Sequence, residues 1–345
     1  MVSRWLMTWI VGVALVLGGP VAQAERTPEA PKAQKEKLSG YAEWRTGSAL
    51  IVDGQRLVIG PATKLKLGKV ASFDAIPLGY EVSAEGTRLP DGALLAQQVE
   101  ARPNGEGLFE GDIRQVTNEM EAEWMEAGAV LERIDEHTVE VVGRLLETGP
   151  QPDRVRQIVR RVAPPYLNVD RLRVHVVDTR EWNAMAMGNG AIWVFTGLLK
   201  DMDDDEVAIV VGHELAHYSH EHSRREFKKA MIAQAIVLGG AAATQVITDN
   251  DKAMAAAAAI GIISSMIYLN KYSRGSEDQA DRVGLRYAHQ GGFDVRKGPR
   301  LWRRFGEKYG DTNGLLNFFI GDHSTASARV KHLERQIALN YTLAR

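Results

Sequence analysis

A chain of 345 residues with 45% hydrophobic and 25% charged residues is ordinary for a globular protein and long enough for two or three domains. The formal net charge of −2 gives no indication of nucleic-acid binding, so no nucleic acid is expected as a partner. The absence of cysteine excludes disulfides, a thiol nucleophile, thiolate metal ligands and a lipid-modified cysteine anchor, so that any metal must be bound by His, Asp or Glu.

The first 24 residues are typical of a secretory signal. Arg4 supplies a positive charge, residues 5–17 form an apolar segment too short to span a bilayer comfortably, and Ala22-Gln23-Ala24 is an A-x-A cleavage site. We predict cleavage after Ala24, with an uncleaved anchor as the alternative. In both cases the protein is expected to be periplasmic or secreted, and association with a membrane stays open.

A flexible linker and then a small β domain are predicted after the signal. Residues 25–39 are polar, charged and contain proline, which is typical of a linker. Strand-like segments fill residues 40–104 and are separated by tight turns at Asp53-Gly54 and Pro90-Asp91-Gly92. We expect a small, OB-like β-barrel that acts as an accessory or interaction module, since an aromatic and basic stripe for nucleic acids is missing.

A helical region is predicted next, followed by strands. Residues 113–163 are expected to be helical, because residues 121–146 carry apolar side chains at helical spacing. A strong strand follows a Gly-Asn-Gly turn, and its free edge is expected to pair with an extended peptide. The substrate-binding residues predicted on this edge are Ala191, Ile192, Trp193, Val194 and Phe195.

The pentad His213-Glu214-Leu215-Ala216-His217 is an HExxH motif. On a helix, residues i and i+4 share one face, so that His213 and His217 can bind one metal ion with Glu214 beside it as a general base. Residues 203–206 read Asp-Asp-Asp-Glu and predict the start of that helix, because acidic side chains cap its N–H groups. A metzincin would need Gly at position 220 and His at 223, where this chain has His220 and Ser223, so that class is rejected.

The third metal ligand is expected on a later helix. Glu277 and Asp281 stand four residues apart, which places them on one helix face. Glu277 would complete a His₂Glu site with an open position for water, and Asp281 would orient one of the ligands. His220 and His222 are interpreted as polar residues at the end of the first helix.

Two apolar, alanine-rich segments, residues 231–246 and 253–268, lie between the two metal-binding motifs. Each is shorter than the roughly 20 residues that span a bilayer. A buried helical hairpin is the favoured interpretation, and contact with a membrane surface is the alternative.

Together these motifs resemble the zinc metallopeptidases of the HtpX, BepA and CAAX-prenyl-protease type (metallopeptidase family forty-eight). HELAH matches the HExxH of that family, SEDQAD its E-x-E-A-D element, and NAMAMGNGAIWVFTGLL the segment before the active helix. The resemblance covers about residues 118–340. It implies an α+β fold in which residues 113–345 form a mainly helical, zincin-type domain with a small sheet, after the β-barrel-like domain.

The resemblance also implies roles for individual residues. His213, His217 and Glu277 would bind one Zn²⁺ per subunit, Glu214 would be the catalytic base, and Asp281 would support the ligands. His323 would stabilise the oxyanion or cap the zinc in a resting state, although Ser324 replaces the proline usual in relatives. Arg329 matches an arginine that follows this element and is assigned to substrate binding.

The expected function is a zinc endopeptidase of the bacterial cell envelope. Its expected partners are polypeptide substrates, namely misfolded or stalled exported proteins, with peripheral membrane or outer-membrane assembly contacts left open. The alternative is an envelope chaperone or assembly factor with latent, self-inhibited peptidase activity. The sequence does not determine the oligomeric state.

Overall fold

The computed structural model describes residues 35–103, 110–133, 138–237, 272–310 and 325–341. The first part of the chain forms a closed five-stranded barrel in the order β1-β2-β3-β5-β4, with β3 and β5 parallel and β4 pairing back to β1. Its strands are β1 (Lys35–Thr46), β2 (Ala49–Val52), β3 (Gln55–Lys66), β4 (Glu81–Arg88) and β5 (Leu94–Arg102). The predicted β-barrel-like sheet is therefore present.

Both predicted turns of the barrel are confirmed. Asp53 and Gly54 have positive φ values of 46° and 70° and join β2 to β3, as a two-residue hairpin requires. The segment around Asp91 joins the antiparallel strands β4 and β5, and the Asp91 side chain accepts a hydrogen bond from Ala93 N at 3.0 Å. Alternating inward side chains, such as Leu50, fill the barrel.

The predicted linker is too long at its C-terminal end. Strand β1 begins at Lys35, and Lys35 to Tyr41 pair with β4. Leu38 is buried while Lys35 and Lys37 face solvent, which is the alternation of a half-buried strand. Pairing with β4 thus overrides the polar composition. Residues 1–34, with the predicted signal, lie outside the described residues.

A second sheet has the order β6-β7-β8-β10-β9, with β8 and β10 parallel and the other pairs antiparallel. Its strands are β6 (Ala129–Arg133), β7 (Val139–Leu145), β8 (Arg173–Asp178), β9 (Ala184–Ala186) and β10 (Ala191–Phe195). The helices are α1 (Glu110–Ala127), α2 (Pro150–Val162), α3 (Thr196–Asp201), α4 (Asp204–Ser219), α5 (His222–Val237), α6 (Arg274–Gln290), α7 (Gly298–Tyr309) and α8 (Ala326–Asn340). This is a mixed helix-and-sheet fold, consistent with the expected α+β class.

The prediction that residues 113–163 are helical is wrong in the middle of that region. Helix α1 ends before Gly128, which has a φ of 61°, and β6 and β7 follow as a hairpin. Residues Val139 to Val142 carry the β-branched content that suits a strand. The sheet pairing of β7 with β8 decides the outcome over the helical spacing.

Strand β10 is buried on both faces. Ile192 and Val194 face the main core with α2 and α4, and Trp193 faces a smaller core under α1. There Trp193 contacts Trp124 edge to face, with ring centroids 4.9 Å apart. The sheet therefore packs against α4 on one face and against α1 on the other.

Helix α4 begins as predicted. Asp203 accepts hydrogen bonds from the N–H groups of Asp205 and Glu206, and Glu206 bonds back to Asp203 N, which is a capping box. From Glu206 to His217 every residue is buried.

Helices α4 and α6 touch through two glycines. A Cβ atom at Gly212 would lie 2.5 Å from Gly284 O, and one at Gly284 would lie 2.5 Å from His213 N. Only glycine fits at so close an approach. This contact brings the α6 carboxylates to the histidines of α4.

Of the apolar segments 231–246 and 253–268, the structure describes only residues 231–237, where α5 continues to Val237. The remainder, residues 238–271, lies outside the described residues, so the hairpin and its membrane contact stay predictions. Across the ranges given above, no helix has the length and hydropathy needed to cross a membrane.

Candidate metal centre

Three buried side chains converge between α4 and α6. His213, His217 and Glu277 are 4%, 2% and 0% exposed. The two Nε2 atoms lie 2.9 Å apart, and the Glu277 carboxylate oxygens lie 3.4 Å from His213 Nε2 and 3.3 Å from His217 Nε2. The structure therefore brings together the three residues predicted as metal ligands.

The donor set fits a small divalent cation. Ligand atoms about 2.0–2.2 Å from a tetrahedral zinc ion stand roughly 3.3 Å from one another. The three measured separations, 2.9, 3.3 and 3.4 Å, are close to that value. Two imidazoles and one carboxylate leave a fourth position for water, as in catalytic zinc sites.

Asp281 fixes the orientation of the His213 ring. Its Oδ1 atom lies 3.0 Å from His213 Nδ1, so that this nitrogen donates to the carboxylate and Nε2 faces Glu277. Burial and the Arg329 charge lower the pKa of His213, but hydrogen bonds to Asp281 and Glu277 outweigh them and raise it to about 9. Burial alone would raise the pKa of Asp281, yet Arg329 and His213 hold it well below its usual range.

Arg329 belongs to this buried cluster rather than to a substrate surface. It is 1% exposed, its Nε donates to Asp281 Oδ2 at 3.1 Å, and its Nη2 also bonds the same carboxylate. Its guanidinium lies over the Trp302 ring, 3.4 Å from the centroid. The assignment of Arg329 to substrate binding is therefore wrong, because a side chain this buried has no access to a peptide.

His222 is a site residue that the sequence interpretation missed. Its Nδ1 lies 2.8 Å from His217 Nδ1, and its Nε2 lies 3.1 Å from Gln279 Oε1. Burial holds the pKa of His222 well below its usual range, so the ring is neutral. The available signal was the position of His222 just after the HExxH helix, at the first residue of α5. His220, also fully buried, contacts Ser219 instead.

Tyr272 covers the other face of His217. The two rings stack with centroids 4.0 Å apart and an interplanar angle of 19°. The Tyr272 hydroxyl lies 2.9 Å from Ser223 Oγ. This stacking restricts rotation of the His217 ring.

Glu214 is buried next to His213 on α4 and interacts electrostatically with His213 and Glu277. It is 6% exposed, and its Oε2 atom accepts a hydrogen bond from Ala186 N at 3.1 Å. Burial raises the pKa of Glu214 to about 7, with the Glu277 charge adding to this effect and His213 opposing it. A carboxyl group with such a pKa is suited to accept and return a proton near neutral pH.

The predicted free edge is on a different strand. Strand β10 pairs with β8 on one side and β9 on the other, so the expectation that residues Ala191 to Phe195 offer a free edge is wrong. Within the described sheet, the strand with an unpaired edge beside α4 is β9 (Ala184–Ala186). Its short length and alanine content made it hard to recognise as a strand.

A cleft of about 180 Å³ opens beside the ligands and the β9 edge. Ala186 and His217 line its floor, and Arg114, Glu221 and Arg224 are among its walls. A peptide entering this cleft would reach the metal-binding atoms. His323 lies outside the described residues, so its predicted role stays a prediction.

Residues 149–337 match Peptidase family M48. The chain belongs to this family. The matched range includes every site residue described above except Arg114, and the family implies a divalent metal ion in the His-His-Glu cluster.

Curated relatives agree with this assignment. The mitochondrial metalloendopeptidase OMA1 of Bos taurus is 30% identical over 168 residues, which are 48% of this chain and 32% of the relative. The metalloproteases YcaL and LoiP of Escherichia coli are 27% and 22% identical over 172 residues, in each case 50% of this chain and 65% of the relative. The alignments thus span less than two thirds of these relatives.

Proposed function

We propose that this M48 family member is a zinc-dependent endopeptidase. The observation that carries the proposal is the convergence of three ligand atoms, together with a buried Glu214 that interacts with the charges of His213 and Glu277 and has one oxygen held by Ala186 N. The relatives named as metalloendopeptidases support it. A zincin-type arrangement of helix α4 and the sheet is part of the same proposal.

Each protein group has a defined task in this reaction. When bound, zinc supplies Lewis acidity toward water and the scissile carbonyl. Glu214 Oε2 is fixed by Ala186 N, which leaves Oε1 to take the proton of the attacking water and to pass it to the leaving amine. His213 and Glu277 keep their positions through Asp281 and Arg329.

The substrate pairs in extended form with the outer edge of β9. Asn183 O and Met187 N bond β10, so in an antiparallel ladder the polar groups of Ala184 and Ala186 face the opposite side. Ala186 N already faces Glu214 on that side. Main-chain pairing of this kind accepts many sequences, as an endopeptidase requires.

The proposed location and the proposed substrate class have different grounds. The signal-like pattern over residues 1–24 supports export to the bacterial envelope, and the family resemblance supports misfolded or stalled exported proteins as substrates. Zinc is preferred over other divalent ions because two imidazoles and one carboxylate on an HExxH helix suit it. The barrel keeps its OB-like interpretation, supported by five closed strands. A latent, chaperone-like role depends on His323 and stays a prediction.

Glu214→Gln tests the proposal. The variant should bind one equivalent of zinc as the wild type does, because Glu214 is not a ligand, and should lose casein cleavage by a factor of at least about 1,000. Metal analysis and a protease assay on the same preparations measure both quantities. Wild-type cleavage by the variant, or a wild-type protein without zinc, would sink the proposal.

A further inference from the structure

A buried carboxylate of the barrel lies against the metal-binding helices. Glu43, on β1, is 1% exposed although it belongs to a different part of the chain from the ligands. It is the extra residue of a β-bulge, because Ala42 and Trp44 pair with the adjacent residues Val52 and Ile51. A bulge re-aims a side chain, and here it directs Glu43 to α6.

Glu43 fixes the orientation of the Gln279 amide. A carboxylate only accepts hydrogen bonds, so Gln279 Nε2 must donate to Glu43 Oε1, at 2.8 Å. On the other side, Arg225 Nη1 donates to Gln279 Oε1 at 2.9 Å. Both contacts require the same orientation of the Gln279 amide, with Nε2 toward Glu43 and Oε1 toward Arg225.

The amide in turn fixes the tautomer of two histidines. Gln279 Oε1 accepts, so the His222 Nε2 that faces it at 3.1 Å carries the hydrogen. The other nitrogen of a neutral His222 is then an acceptor, and His217 Nδ1 donates to it at 2.8 Å. His217 Nε2 therefore carries the lone pair, and it faces Glu277.

We propose that Glu43 is a positioning residue of the metal centre, acting through Gln279 and His222 to present the Nε2 lone pair of His217 to the metal. The three hydrogen bonds run in one direction: His217 donates to His222, His222 to Gln279, and Gln279 to the Glu43 carboxylate. The inference rests on the proposed role of His217 as a metal ligand. It makes the barrel a component of the metal centre rather than a separate accessory module.

A simpler role for Glu43 is to attach the barrel. Its Oε1 also accepts from Arg282 Nη2 at 2.8 Å, and Arg282 pairs with Asp53 of the barrel at 2.9 Å. Asp53→Asn removes an ion pair from the same contact without touching Gln279, which makes it the matched control. Gln279→Met removes the relay but leaves Glu43 paired with Arg282, so the barrel attachment is kept.

The test measures zinc affinity of the full mature chain by competition with a chromophoric chelator, and the visible spectrum of bound Co²⁺. Glu43→Met, which removes the acceptor of Gln279 Nε2, and Gln279→Met should each bind zinc about 10–100-fold more weakly than the wild type and shift the Co²⁺ bands. Asp53→Asn should stay within about twofold. Gln279→Met also answers the question if Glu43→Met does not fold.

An exchange of the two groups gives the sharpest readout. In the double variant Glu43→Gln with Gln279→Glu, the new carboxylate accepts from His222 Nε2 and the new amide donates to it, so zinc affinity should return to within about threefold of the wild type. Affinity of Gln279→Met within twofold of the wild type, or an exchange variant as weak as Glu43→Met, would overturn the inference. The proposed function fails separately, if the wild type itself binds no zinc.

Discussion

The two histidine ligands are oriented by different hydrogen-bond partners. His213 donates directly to Asp281, whose charge is balanced by the buried Arg329 of α8. His217 donates to a neutral histidine, and the supporting carboxylate, Glu43, comes only after two further side chains. Each series of hydrogen bonds ends on a carboxylate, so the Nδ1 atom of each imidazole donates and its Nε2 atom is left for the metal.

The His213 ligand is therefore supported by charges within the metal-binding helices, and the His217 ligand by a neutral contact with the barrel. The His213 side is ionic and lies within the matched family region, so it should dominate the stability of the site and its dependence on pH. The His217 side is a neutral relay that ends in the barrel, outside that region, so it should control metal affinity with little dependence on pH. Variants on each side test this division.

Asp281→Asn should have the largest effect, on the ionic side. Removing one partner of a buried ion pair leaves Glu277, 3.5 Å from Arg329 Nη1, as the remaining carboxylate beside the Arg329 charge, and should lower the free energy of unfolding by about 3–5 kcal/mol. Zinc affinity should fall about 10–100-fold as His213 loses its orientation. Urea unfolding and chelator competition measure the two losses.

Asp278→Asn is the matched control for that variant, because Asp278 is on the same helix but its side chain is 42% exposed. We expect it to change the free energy of unfolding by less than about 1 kcal/mol. Equal losses in the two variants would mean that the buried pair has no special role.

The metal-free protein should lose stability as the pH rises. The pKa of His213 is about 9 in the fold against 6.5 for an ordinary histidine, so its protonated form stabilises the fold fully below about pH 6.5. That contribution, on the order of 3 kcal/mol, is lost as the pH rises to about 9. Unfolding with urea and a chelator at both pH values measures it, with His213→Gln as the control. An unchanged pH dependence in His213→Gln would assign it to other groups.

The smallest change in zinc affinity is expected from substitutions of His222, which contacts His217, and of its neighbour His220. His222→Leu should weaken zinc binding about tenfold, since His217 loses its acceptor. His220→Leu should leave zinc affinity within about twofold, because His220 bonds Ser219 and not a ligand. Each should cost about 1–2 kcal/mol of unfolding free energy as a buried polar substitution. Equal zinc affinities for the two variants would show that the relay has no influence.

The barrel contact also changes how the barrel should be studied. Deletion of residues 40–104 would remove Glu43 together with any targeting or partner-binding site on the barrel. Loss of activity after such a deletion would therefore not distinguish a targeting role from damage to the metal centre. Point variants on the barrel surface away from Glu43, such as at Lys37, which is exposed, separate the two.

Sequence patterns predicted the local parts of the site well. HELAH, the acidic start of α4 and the four-residue spacing of Glu277 and Asp281 depend on helix geometry alone, and the structure brings these residues together. Errors arose where a neighbour in space decides. The polar start of β1 pairs with β4, the helical spacing after Ala127 yields to sheet pairing, and β10 is covered by β9.

By itself, the sequence determined which side chains could bind a metal, because a helix places i and i+4 on one face whatever surrounds it. Only the tertiary structure decided what supports those side chains. The contacts of Arg329 with Asp281 and of Glu43 with Gln279 join residues far apart in the chain, and the hydrogen bond from His217 to His222 joins two consecutive helices. Contacts of this kind depend on the packing of α4, α6, α8 and the barrel, which no local periodicity encodes.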